Sequence, residues 1–98
     1  MRTVQEEIEK TKQLKKEAAD LAAIKKKAYE AELTELEAIE KAHKNNKTYK
    51  GKKVTADDVA SARSKVESSR EEMDSANLVV EKYDGQLDGY EQALEGLL

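Results

Sequence analysis

Apolar residues recur in alternating steps of three and four along the second half of the chain. The series runs from Val59 to Leu97, and only Ser69 interrupts its apolar or aromatic character. This heptad spacing predicts one long helix with a single apolar seam. The predicted seam consists of Val59, Ala62, Val66, Ser69, Met73, Ala76, Val80, Tyr83, Leu87, Tyr90, Leu94 and Leu97.

The first half shows a similar but less regular pattern. Its spacing slips in phase between Ala28 and Leu33, which predicts a seam with a stutter. The pattern stops at the stretch KAHKNN, where lysines and asparagines are typical of a helix C-terminus. The predicted inward set is Val4, Ile8, Thr11, Leu14, Ala18, Leu21, Ile24, Ala28, Leu33, Leu36, Ile39 and Ala42.

Capping signals mark where each helix begins. Thr3 precedes Glu6 by three residues, and Thr55 precedes Asp58 by the same interval. This spacing lets a threonine accept from a free amide while an acidic residue meets the positive end of the helix. We therefore predict a single domain over residues 1–98, with helix one at about 3–44, a loop at 45–54 and helix two at about 55–97. The fold class is all-α, an antiparallel, coiled-coil-like two-helix hairpin.

Composition and charge support this hairpin. Of the 98 residues, 40% are charged and none is Pro, Cys, Phe or Trp, which excludes a disulfide framework and a thiolate metal site. Residues 1–54 carry 14 basic against 10 acidic residues, whereas residues 55–98 carry 4 against 11. The two halves therefore attract each other.

A two-helix hairpin covers each seam on one side only, so we expect it to complete a bundle by oligomerisation or with a protein partner. Leu78 and Val79 lie off the main seam. They indicate either a second contact surface, for a partner or another copy, or one wide core stripe.

No apolar stretch is long enough for membrane insertion, and the N-terminus lacks the apolar region of a cleavable signal. We expect synthesis in the cytoplasm, and any secretion would use a route that reads no cleavable signal peptide.

The sequence contains no pattern typical of an enzyme. Glu40 and His43 have the Glu-x-x-His spacing of di-iron bundles, but those sites need two such motifs and the chain has one histidine. We predict no catalytic residue, no metal site and no cofactor. Six lysines surround Tyr49 near the loop, but the acidic remainder would repel nucleic acid, so we interpret them as a solvated loop rather than a nucleic-acid site.

The loop contains the tripeptide Tyr49-Lys50-Gly51, in which Gly51 supplies a backbone conformation open to few other residues. With two long helices in about one hundred residues, it resembles the Trp-x-Gly turn of small type VII secretion substrates and of the helical accessory proteins of LXG toxins. The resemblance implies a hairpin that accompanies a larger helical effector through a secretion channel. It also implies that Tyr49 closes the open end of the seam.

That family's Tyr-x-x-x-Asp/Glu export signal is absent here, because Tyr83 is followed four residues later by Leu87 and Tyr90 by Leu94. A partner would then carry the signal. We therefore consider two functions: a partner or targeting factor of a secreted effector, and a small inhibitor or adaptor of mobile-element origin that acts on an intracellular target.

Overall fold

The computed structural model describes residues 3–96, and it consists of two long helices joined by a short connection. Helix α1 spans Val4–Lys44 and helix α2 spans Ala56–Gly96, each with 41 residues. The two helices pack against each other, which confirms the all-α helical hairpin. The connection contains two short antiparallel strands, β1 at Thr48–Tyr49 and β2 at Lys52–Lys53, where the sequence predicted only a loop.

The chain forms two compact units, and each unit contains a segment of both helices. The end unit comprises the described residues 3–24 and 74–96, and the turn unit comprises residues 25–73. Within the turn unit, ion pairs join Lys25 to Glu72 and Glu40 to Arg63. Glu40 lies nearer the end of α1 than Lys25, and its partner Arg63 lies nearer the start of α2 than Glu72. The two segments therefore run antiparallel.

Helix α2 presents its predicted seam to α1. Val59, Ser69, Ala76 and Leu87 are buried, and the other seam residues up to Leu94 are half-buried. Every other described residue of α2 is exposed. Leu97, the last predicted seam residue, lies outside the described residues. A strict heptad thus accounts for the burial along the whole of this helix.

The predicted seam of α1 is wrong in its middle. Leu21, Ile24 and Ala28 are exposed, and the positions that face inward nearby are Ala22 and Lys25, followed by Tyr29. There is no stutter, because buried and half-buried positions continue in unbroken steps of three and four. These positions are Ile8, Thr11, Lys15, Ala18, Ala22, Lys25, Tyr29, Glu32, Leu36 and Ile39.

The physical reason for this correction lies in the partner helix. The seam of α2 has no phase slip, so a slip in α1 would rotate its inward residues away from that seam. Lys15, Lys25 and Glu32 can occupy inward positions because their long aliphatic stems pack while their charged ends reach the edge. Register along the pair therefore decides which α1 residues are covered.

The charged ends of these α1 residues find partners on α2. Lys15 forms an ion pair with Asp84, whose hydrogen bond and negative charge raise the pKa of the lysine. Lys25 Nζ lies 3.2 Å from Glu72 Oε2. The hydroxyl of Ser69, the one polar member of the α2 seam, donates to Glu32 Oε2 at 2.5 Å. Lys15, Lys25, Glu32 and Ser69 thus each have a polar partner on the facing helix.

Both ends of α1 have defined caps. Thr3 Oγ1 accepts a hydrogen bond from the Glu6 amide at 3.2 Å. At the other end, Asn46 has a φ of 52°, and the Lys47 amide donates to the Ala42 carbonyl at 2.8 Å. The Asn46 amide donates to the His43 carbonyl. These two bonds and the left-handed Asn46 form a Schellman motif, which ends the helix and directs the chain into β1.

Candidate interaction surfaces

Large apolar side chains are exposed on the end unit. Leu21 is 50% exposed, Ile24 63%, Leu78 63% and Val79 43%. We call these four residues the outer strip. Two belong to the middle of α1 and two to the facing part of α2, so they follow neither helix's seam.

Leu21, Ile24 and Val79 of the outer strip lie on one flank of the end unit, whereas Leu78, two residues from both Ala76 and Val80, faces away from α1. Leu21 directly precedes the buried Ala22, and Val79 directly precedes the half-buried Val80. In an antiparallel pair, residues that precede inward positions on both helices share a flank, as do residues that follow them. The opposite flank is charged: Asp84, which follows the inward Tyr83, pairs with Lys15. One flank of the end unit is therefore apolar and the other polar.

The turn unit contains the Tyr-x-Gly tripeptide, within a tight β-hairpin. Tyr49 pairs with Lys52 across the two strands. The two residues between them, Lys50 and Gly51, have positive φ values of 51° and 79°. This combination is that of a type I′ turn, which favours glycine at its second central position. The hairpin was not predicted, because Lys-Gly is not among the residue pairs that signal a type I′ turn and Lys52-Lys53 is not typical of a strand.

Tyr49 lies against the end of the helix pair. It packs with the half-buried Ile39 on a cluster of three buried residues, Ala42, Val54 and Val59. The Lys50 Nζ lies 5.4 Å from the centre of the Tyr49 ring. The tyrosine thus covers the last apolar layer of the seam.

The start of α2 is fixed by the predicted cap. The Asp58 amide donates to Thr55 Oγ1 at 3.2 Å, and the Thr55 amide donates to Asp58 Oδ2 at 2.9 Å. These reciprocal bonds form a capping box. The bond from the Thr55 amide is the main cause of a pKa below the ordinary range for the Asp58 carboxyl, with smaller help from the Thr55 hydroxyl and from Lys52.

A groove opens beside the turn, and we call it the turn groove. Its volume is about 380 Å³. Ile39, Val54 and Ala62 supply its apolar surface, and Tyr49 with the β-hairpin forms one wall. Charged residues surround these, namely Glu32, Glu35, Lys50, Lys52, Lys53, Asp58 and Lys65. Lys50, Lys52 and Lys53 are therefore next to an apolar surface rather than on an isolated basic tip.

Glu40 of the Glu-x-x-His pair forms an ion pair with α2. Glu40 Oε1 lies 3.5 Å from Arg63 Nε. Within residues 3–96, no group of three or more His, Cys, Asp or Glu side chains is placed to hold a metal ion. In the same part of the chain, neither helix has an apolar stretch long enough to cross a bilayer.

Fold and surfaces together define a helical hairpin with an apolar outer strip and a groove at its turn. No family model, curated protein or solved structure matches the chain. Its function must therefore be inferred from these surfaces.

Proposed function

We propose that this chain is a non-enzymatic helical interaction protein that pairs with a helical protein partner. The outer strip carries the proposal. Its four large apolar side chains, three on one flank and Leu78 on the adjoining outward face of α2, cost free energy when they face water, and a partner helix laid along that flank would cover the three.

The accessible surface of the chain supports the same proposal. It amounts to 7536 Å², whereas the area expected for a folded monomer of 11.0 kDa is about 5600 Å². The excess is about 1900 Å², more than the ~800 Å² per partner that a standard interface buries. In addition, no side chain among the described residues has less than 2% of its surface exposed. A partner therefore has ample surface to cover.

We further propose that the partner is a secreted effector of a type VII-like secretion system, and that this chain targets it for export. The support is the Tyr49-Lys50-Gly51 turn between two helices of equal length, with Tyr49 packed on the end of the helix pair. Because the chain lacks the Tyr-x-x-x-Asp/Glu signal, the effector would supply it.

The experiment has two stages. Light scattering on the purified protein, alone and coexpressed with the product of any adjacent gene that is predicted to be helical, should give a mass above 11.0 kDa in at least one case. Deleting the gene should then lower the secreted amount of that neighbouring protein without lowering its cellular amount. A stable monomer in both preparations would refute the pairing, and unchanged secretion would refute the targeting role.

Matched variants assign the pairing to a surface. Ile24→Ser with Leu78→Ser should abolish association, because both side chains belong to the outer strip. Ala23→Ser with Asn77→Ser is the control, since both residues are exposed and each directly precedes the strip residue with which it is matched. Equal loss in the two double variants would show that the outer strip is not the contact.

A further inference from the structure

We infer that the turn groove binds a peptide segment of a protein partner in which an apolar side chain is flanked by carboxylates. The inference deepens the proposed function, because it assigns the partner a second contact at the turn. It follows from the volume, the apolar surface and the lysines of the groove.

The groove can hold a side chain. Its volume of about 380 Å³ falls at the lower end of the ~300 to 1000 Å³ range of ligand sites. Ile39 and Ala62 come from the two helices, and Val54 comes from the segment between β2 and α2. A leucine or aromatic side chain placed on these three residues would leave water and contact apolar atoms. The occupant therefore needs one apolar anchor.

Four lysines and three carboxylates line the groove, so positive charges exceed negative ones by one. Its three carboxylates belong to Glu32, Glu35 and Asp58; Asp58 and Glu32 accept hydrogen bonds from two neutral groups, the Thr55 amide and the Ser69 hydroxyl. Its four lysines are Lys50, Lys52, Lys53 and Lys65. No ion pair among the described residues includes any of the four. Carboxylates beside the anchor would pair with these ammonium groups.

The same charges favour a peptide over a nucleic acid. A phosphate backbone is a continuous run of negative charge, and it would pass close to Glu35 and to the carboxylates of Glu32 and Asp58. A peptide can place single carboxylates opposite single lysines and present an uncharged face to Glu35. The apolar surface also suits an aliphatic anchor, which nucleic acid does not offer.

The walls of the groove are fixed before any ligand arrives. The Schellman motif at Asn46, the type I′ turn at Gly51 and the capping box at Thr55 each hold a defined backbone conformation. Little ordering is then needed when a ligand binds, which favours affinity.

The test selects random twelve-residue displayed peptides on the intact protein at physiological salt. Binders of Ser61→Trp are removed, because this exposed position lines the groove and tryptophan would fill it. We expect the selected peptides to share an apolar residue next to Asp or Glu. Absence of selective peptides, or selected peptides without carboxylates, would overturn the inference.

A selected peptide, labelled for fluorescence anisotropy, then tests the residues. Lys52→Gln with Lys65→Gln should weaken its binding at least tenfold, as should serine in place of the peptide's apolar anchor. Lys16→Gln with Lys26→Gln is the control, because both lysines are exposed and lie outside the groove. Equal losses of peptide affinity in the two double variants would refute the groove as the binding site. If a single-stranded oligonucleotide bound more tightly than the peptide, and the Lys52→Gln, Lys65→Gln variant lost that binding, the assignment of a peptide ligand would be refuted.

The two proposals can fail separately. Serine at Ile24 and Leu78 should leave peptide affinity unchanged, and glutamine at Lys52 and Lys65 should leave the light-scattering mass unchanged. Peptide binding by a protein that stays monomeric with its neighbour would refute the pairing alone. An assembled protein that selects no peptide would refute the groove alone.

Discussion

The two helices contribute different chemistry to the same interface. Helix α2 fills its inward positions almost entirely with apolar side chains, whereas α1 places Lys15, Lys25 and Glu32 at equivalent positions. At the same time, α1 leaves Leu21 and Ile24 outside. Burial in this hairpin therefore depends on where a residue falls in the heptad rather than on how apolar it is. One helix with an unbroken apolar heptad is enough to set the register for a partner that is apolar only in part.

The largest effect should come from the α2 seam. Leu87→Asp would put a carboxylate at a position that is only 8% exposed. We expect a loss of about 3 to 4 kcal/mol in the free energy of unfolding, measured by urea denaturation. Glu91→Ala, at an exposed position four residues later, is the control and should change it by less than about 0.5 kcal/mol. Similar midpoints for the two variants would rule out the heptad as the source of stability.

A second comparison tests the corrected register of α1. Ala22 is 8% exposed and Ile24 is 63% exposed, although isoleucine is the more apolar residue. Ala22→Asp should therefore cost about 2 to 3 kcal/mol in the free energy of unfolding, and Ile24→Asp less than about 0.5 kcal/mol. Both are measured by urea denaturation at protein concentrations where light scattering shows a monomer. A larger loss for Ile24→Asp than for Ala22→Asp would support the predicted seam with a stutter instead of the unbroken heptad.

These comparisons show how far the sequence could be read. The α2 seam was predictable because its apolar residues and its inward positions coincide from Val59 to Leu94. In α1 they do not coincide. Leu21 and Ile24 are apolar but exposed, and Lys25 is charged but faces inward, so the apolar pattern predicts the wrong heptad phase. The phase of α1 could be assigned only with its partner helix known, because the unbroken seam of α2 requires an unbroken heptad in α1.

The site was predictable in part for a similar reason. Caps are local, so Thr55 and Asp58 could be identified from their spacing alone. The turn groove could not, because it brings together Ile39, Val54 and Ala62 from three segments. The lysines were visible in the sequence, but their position beside an apolar surface was not.

The third prediction concerns the start of α2. Thr55→Ala removes the acceptor for the Asp58 amide and should lower the free energy of unfolding by about 1 kcal/mol, measured by thermal denaturation at neutral pH. A matched change at Thr48, an exposed strand residue without such a bond, should have a smaller effect. No difference between the two would mean that the capping box does not stabilise the hairpin.

The same cap predicts a pH dependence. The pKa of Asp58 is lowered in the folded state, so the folded state binds this proton less readily than the unfolded chain. Its stabilising contribution is therefore complete above the unfolded pKa, near pH 4, and is lost as the pH falls through the lower folded value. Asp58→Asn should flatten the decline of the melting temperature in this range. An unchanged acid profile would show that the carboxylate has no such role.

The smallest effects should come from glycine, and their signs should differ between the two regions. Gly85 lies in α2 at an exposed position, and a Cβ there meets no atom within 4 Å. Gly85→Ala should therefore raise the free energy of unfolding by about 0.5 to 1 kcal/mol, because alanine favours the helix. Gly51 also has open space, but its φ of 79° strains any L-residue, so Gly51→Ala should lower stability by about 1 kcal/mol. Both shifts are measured by thermal denaturation, and a gain in stability at both positions would show that the type I′ turn does not form.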